Sequence, residues 1–195
     1  MNGASMSVAT TAASAKPASA GPLTARVEQA WRVLGEVLDP EVPALSVCDL
    51  GIVRDVIEQG EALDVVLTPT YSGCPATEVI EQSVREALDA AGLGPVRTIL
   101  RRAPAWTTDW ITPEGRRKLR DYGITPPGAL PADEGVPLRF LGRSGQAQPL
   151  ARAAVSCPRC GSAHTEQLSA FGSTACKAMY SCLDCREPFE YFKPI

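Results

Sequence analysis

Residues 52–68 read IVRDVIEQGEALDVVLT. Two runs of strand composition, 52–57 and 62–68, flank Gln59-Gly60, and that pattern predicts a β-hairpin. Upstream, Val27, Ala30, Trp31, Leu34, Val37 and Leu38 fall at three- and four-residue steps, the spacing of one helical face. Thr24 suits the start of this helix, and Asp39-Pro40 suits its end, because the residue before a proline avoids the helical region. Downstream, Val79, Ile80, Val84, Ala87, Leu88 and Ala91 mark the buried side of a second helix that closes near Gly92. Residues 96–100 read as a third strand. The order helix, strand, strand, helix, strand predicts a compact α+β domain over residues 23–102.

The flanks differ in composition. Residues 1–22 are mostly Ala, Ser, Thr, Gly and Pro with Lys16 as their one charge. They lack the basic start and apolar stretch of a secretory signal and the arginines of a transit peptide, and read as a disordered tail. Residues 103–152 read as a connector, since seven prolines between 103 and 150 break any long element. One short helix fits there at residues 113–122, with Thr112 as cap, Pro113 at the first helical position and Gly123 beyond the end. Charge follows the same divisions. It is −9 over residues 22–93, +4 over 97–121 and +1 over the last 45 residues, which suggests an acidic domain, a basic connector and a separate C-terminal module at 153–195.

Composition excludes several functions. No run approaches the ~18 apolar residues of a membrane span, and a net charge of −3 argues against a general nucleic-acid binder. The chain is therefore read as cytoplasmic, with neither membrane nor nucleic acid among its partners. A single histidine, His164, excludes centres built from several histidines. Seven cysteines without a secretory signal point to metal or thiol chemistry rather than to disulfides.

Cys157-Pro158-Arg159-Cys160 and Cys182-Leu183-Asp184-Cys185 are two CxxC pairs with 21 residues between them. Each tight turn presents two thiolates to one ion, and two turns close a tetrahedral site of the zinc-ribbon kind. Zinc in a structural role is the first reading, and iron or an iron–sulfur cluster the second. His164 reads as a surface residue and Cys176 as a buried free thiol.

A second group lies in the first domain. Asp39-Pro40-Glu41-Val42-Pro43 leaves the first helix, Asp49-Leu50-Gly51 precedes the first strand, and Gly73-Cys74-Pro75 enters the second helix. With Pro75 at the first helical position, Cys74 would cap the helix, where free N–H groups favour a thiolate. The plainer reading makes Cys74 a small buried cap, and Asp39, Glu41 and Asp49 turn-forming carboxylates.

These three motifs resemble the signature of the SufT-like domain of iron–sulfur cluster assembly, over about residues 24–102. Pro104-Ala105-Trp106-Thr107-Thr108-Asp109-Trp110-Ile111, Pro113-Glu114-Gly115-Arg116 and Tyr122-Gly123-Ile124 are similar to the connector of the PaaD (also PaaJ) family of phenylacetyl-CoA epoxidase subunits. So are residues 171–178 (FGSTACKA) and 187–193 (EPFEYFK) around the CxxC pairs. The resemblance implies an accessory role in aerobic phenylacetate breakdown, beside an oxygenase component with a di-iron centre and a flavin and iron–sulfur reductase component. It implies that the chain is not catalytic alone but helps insert iron or a cluster into those partners. Cys74 would be the transient ligand, with Asp39, Glu41 and Asp49 shaping its site, and Cys157, Cys160, Cys182 and Cys185 would hold zinc. Two alternatives are a docking component, contacting partners through Trp106, Trp110, Phe189, Tyr191 and Phe192, and an electron carrier with iron in the ribbon.

Overall fold

The computed structural model describes residues 24–71, 73–128 and 154–195. The tail expected at 1–22 and the later part of the connector lie outside the described residues. The first helix, α1, is Ala25–Leu34, and the Thr24 hydroxyl accepts a hydrogen bond from the Val27 N–H at 3.2 Å. It stops at Gly35, earlier than Asp39-Pro40. The apolar spacing does continue, but the backbone of 37–39 pairs with 45–47 instead: Asp39 N–H donates to the Leu45 carbonyl and Val47 N–H to that of Val37, each at 2.9 Å. Val37 is thereby buried while Leu38 is turned out, 54% exposed.

The hairpin forms from β1, Val53–Gln59, and β2, Ala62–Leu67, paired antiparallel with Val56 opposite Val65. After α2, Thr77–Ala90, the strand β3, Val96–Leu100, returns parallel to β2. The sheet order is β1-β2-β3. A central strand is covered by neighbours on both edges, which accounts for the unbroken buried run from Leu63 to Leu67. Ile80, Val84 and Leu88 of α2 pack inward at four-residue steps. Val79 lies one residue off that line and is exposed, contrary to its expected place on the buried side.

Residues 103–128 depart from the loose connector expected of them. Trp106, Thr108, Ile111, Leu119 and Ile124 are all buried. A single 3-10 turn, Thr108–Trp110, leads to α3, Pro113–Asp121, which Thr112 caps by accepting from the Gly115 N–H at 2.9 Å. The platform beneath is Asp49-Leu50-Gly51. The Leu50 carbonyl accepts from Trp106 Nε1 at 2.9 Å, and the Asp49 carbonyl accepts from the Thr112 N–H at 2.9 Å. Gly51 has φ +67°, and a Cβ there would lie 2.6 Å from the Trp110 carbonyl oxygen, so only glycine fits.

The second sheet holds β4, Ile124–Thr125, β5, Thr165–Ser169, β6, Lys177–Cys182, and β7, Pro188–Phe192, in the order β4-β7-β6-β5. Val155, Cys157, Ala178, Tyr180, Cys182 and Phe189 make its own small core. Cys176 and Phe192, however, belong to the main core, where Phe192 meets Trp106 at 6.1 Å between ring centroids. The C-terminal segment is thus packed onto the first sheet's core rather than standing apart from it. Burial also removes Trp106, Phe189 and Phe192 from any contact surface of the kind a docking component would offer. The fold is α+β, with three α-helices and two small sheets among the described residues.

Candidate functional site

Two groups of cysteines are built in different ways. In the C-terminal segment, one tight turn carries Cys157 and Cys160, closed by the Gly161 N–H on the Cys157 carbonyl at 2.9 Å, with Gly161 at φ +77°. The other carries Cys182 and Cys185, closed by the Arg186 N–H on the Cys182 carbonyl at 2.9 Å. The four sulfurs lie within 4.8 Å of one another, with Cys157 to Cys185 at 3.7 Å and Cys160 to Cys182 at 3.5 Å. A tetrahedral ion with metal–sulfur bonds of about 2.3 Å needs sulfurs about 3.8 Å apart, so the set fits a metal as it stands. The Cys185 amide, helped by that of Asp184, brings Cys182 down to about 7 against the effect of burial. His164 is no part of this set. Its Nδ1 lies 3.1 Å from Asp184 Oδ1 on the surface.

The second group surrounds Cys74. The helix α2 begins at Thr77 with Ala76 at the cap, so Cys74 sits two residues ahead of the capping position expected of it. Pro75 lies in a turn rather than in the helix, because the Cys74 carbonyl accepts from both the Thr77 N–H, at 3.2 Å, and the Thr77 hydroxyl, at 2.8 Å. Cys74 is 8% exposed. Burial pushes its thiol up, the Ala76 amide opposes this, and the Glu41 carboxylate raises it further. Burial thus works against the thiolate that a helix cap would favour.

Around it stand Asp39, Glu41 and Tyr71. Asp39 Oδ1 accepts from the Glu41 and Val42 N–H groups at 2.9 and 2.8 Å, which fixes the loop. Burial raises the Asp39 carboxyl, against those amides and Lys177. Glu41 is raised by burial and then by Asp39. Tyr71 is raised by burial first, and further by its neighbours Cys74 and Glu41. Asp49 is placed otherwise. It accepts from Lys118 Nζ at 2.7 Å and from the Ser46 N–H at 3.0 Å. Burial works to raise Asp49, but Lys118 and the Ser46 amide and hydroxyl outweigh it and leave the group lowered. Its partners bind α3 to the domain; none of them touches Cys74.

Sequence reasoning sets aside two residues that the fold brings to this group. Cys176 is buried beside Glu41's charge. Lys177 is 3% exposed, with Nζ 2.9 Å from Glu190 Oε2 and 3.5 Å from the Glu41 carbonyl. The one signal is arithmetic: four ribbon cysteines leave Cys48, Cys74 and Cys176 to be explained.

Residues 143–193 match the family described as the PaaD zinc beta ribbon domain, and residues 10–99 the family described as iron-sulfur cluster assembly protein. A protein of Escherichia coli (strain K12), named as a component of 1,2-phenylacetyl-CoA epoxidase, is 47% identical over 170 residues, covering 87% of this chain and 94% of the relative. The chain belongs to the PaaD family of phenylacetyl-CoA epoxidase subunits. A protein of Porphyromonas gingivalis named an Fe-S protein maturation auxiliary factor is 32% identical over 94 residues, 47% of this chain and 89% of its own. A solved domain of unknown function, DUF59, from Bacillus anthracis covers 49% of this chain and 92% of itself at 22% identity and a TM-score of 0.45. The first relative covers most of this PaaD family member, whereas the second covers about half of it. Among the described residues no helix is long and apolar enough to cross a membrane.

Proposed function

We propose that the protein is an accessory maturation component of a phenylacetyl-CoA epoxidase, which delivers iron or an iron–sulfur cluster to the oxygenase and reductase components through Cys74. The observation that carries this reading is the placement of Cys74. A buried thiol, packed in one core with Tyr71 and near enough to the Glu41 and Asp39 carboxylates to be influenced by them, lies in the half that matches an iron–sulfur assembly family. Before cargo arrives, burial and the carboxylates keep the proton on sulfur. An iron cation reverses the sign of that local field, so the thiol loses its proton to solvent and Sγ becomes a ligand. When iron leaves, the field returns and the proton with it. A ligand that binds only while the cation is present suits delivery better than storage.

The ribbon has the opposite task. Four thiols already at bonding separation suit structural zinc, which supplies folding free energy to a sheet with a small core. Asp49 holds the 103–121 segment in place rather than touching cargo. The work is set in the cytoplasm, where cysteines stay reduced.

The test is to produce the oxygenase and reductase components with either the wild-type chain or Cys74→Ser, and to measure iron and acid-labile sulfide in the partners. The expected result is a several-fold fall with Cys74→Ser at unchanged zinc in the chain itself. Full loading of both partners would overturn the reading and favour a docking component.

A further inference from the structure

The strands β2 and β3 run parallel with Leu67 opposite Leu100, so the chain leaves both at the same end of the first sheet. Just beyond that pair the Arg101 N–H donates to the Leu67 carbonyl at 2.8 Å, which brings the segments after β2 and β3 together. Carboxyl ends of parallel strands are where open α/β sheets hold ligands, because the connections diverge there and leave a crevice. Here residues 68–71 and 102–106 line a cavity of about 240 Å³. Thr68, in its wall, is 1% exposed, and its hydroxyl has no hydrogen-bond partner among the described residues. A buried hydroxyl left unpaired is a standing cost to the fold and calls for a reason. Arg102 is exposed and forms no ion pair among the described residues. Of the described residues that line the cavity, it alone has a charged side chain. Pro69, Ala105 and the rings of Tyr71 and Trp106 supply apolar wall, with Trp106 fixed by its indole N–H on the Leu50 carbonyl.

We propose that this cavity binds a small aromatic carboxylate, with the anionic group on the Arg102 guanidinium, an oxygen on the Thr68 hydroxyl and the ring against Trp106 and Pro69. The walls dictate the class. A phosphate seeks several cationic and N–H donors at once, and one guanidinium among apolar neighbours falls short of that. A neutral apolar molecule would leave both Arg102 and Thr68 as they are. Flat aromatic walls favour a flat ring, which gains from offset or edge contacts. The cavity's volume, about 240 Å³, lies below the range of about 300–1,000 Å³ typical of drug-sized sites. That limits the occupant to one ring with a short acidic arm. The site stands apart from the reading of Cys74, whose thiol is not among the groups lining it.

The test is an NMR titration of the full-length, zinc-loaded, isotopically labelled chain with benzoate as the probe. Wild type is expected to bind one benzoate with a Kd below about 1 mM. Shifts should concentrate at the Trp106 indole N–H and at the amides of 68–71 and 102–106. Benzamide, which lacks the charge, and acetate, which lacks the ring, should each bind at least about 10-fold more weakly. Arg102→Gln should weaken benzoate about 10-fold and leave benzamide unchanged. Thr68→Val should weaken benzoate about 5-fold yet unfold in urea no earlier than wild type, because an unpaired hydroxyl adds nothing to the empty fold. Cys74→Ser should bind benzoate as wild type does. No saturable binding by wild type, shifts confined to other parts of the chain, equal binding of inorganic phosphate, or full affinity in Arg102→Gln would each overturn the proposal. Earlier unfolding of Thr68→Val would assign its hydroxyl to the fold and overturn its part in binding.

Discussion

The ribbon cysteines and Cys74 put the same side chain in opposite settings. In the ribbon, each pair of thiols is held by one tight turn and the four sulfurs already converge. Cys74 instead lies in the main core, which gathers residues from the loop at 39–42, the turn at 71–74 and the second sheet, so its surroundings depend on packing between two sheets. Local chemistry makes a site that is present whenever its turns form. Tertiary chemistry makes surroundings that are present only when the whole fold is.

The largest effect should come from removing the ribbon metal. A structural four-cysteine zinc is worth about 10–16 kcal/mol of apparent binding free energy. Chelation, or Cys157→Ser, should therefore abolish amide protection in residues 177–192 while 53–67 keeps theirs, as followed by hydrogen exchange. Equal loss in both regions would mean that the two sheets fold as one unit. Next comes Lys177→Ala, which leaves the Glu190 carboxylate without its cation in a mostly buried setting. A cost of about 3–5 kcal/mol is expected from urea unfolding, and adding Glu190→Gln should recover part of it.

The smallest effect separates the two aspartates by sign. Asp49 is lowered, so its contribution to stability is complete above its ordinary value of 3.8 and is lost as pH falls below that through its folded value. Asp39 is raised from 3.8, so its contribution is present below that value and is lost as pH climbs through the folded one. Urea midpoints measured from about pH 3 to pH 6 should lose their acid-side fall in Lys118→Met, and their rise toward lower pH in Asp39→Asn. The same slope in both variants would contradict the placement of these two carboxyls.

What can be read from the sequence follows the same division. The hairpin, α2's inward line and the two CxxC turns are local patterns, and a period or a spacing suffices to find them. Periodicity misplaces the end of α1 because Val37 and Leu38 keep helical spacing while their backbone pairs with 45–47. Trp106, Ile111, Leu119 and Ile124 follow no period; all four join the main core, where Trp106 meets the Leu50 carbonyl and Phe192. Asp49 looks like a partner of Cys74 when motifs are grouped by residue type. Its carboxylate is instead engaged by Lys118, 69 positions away. Cys176 and Lys177 are the least legible, since nothing near them in the chain reveals that Glu41 is their neighbour.

The most direct measurement is transfer itself. The chain would be loaded anaerobically with isotopically labelled iron, freed of excess, and mixed with the iron-free oxygenase component in the presence of a chelator that captures loose metal. The account predicts that label reaches the oxygenase from the wild-type chain and not from Cys74→Ser, with zinc staying in the ribbon of both. Equal transfer from the two chains, or label found only on the chelator, would contradict it.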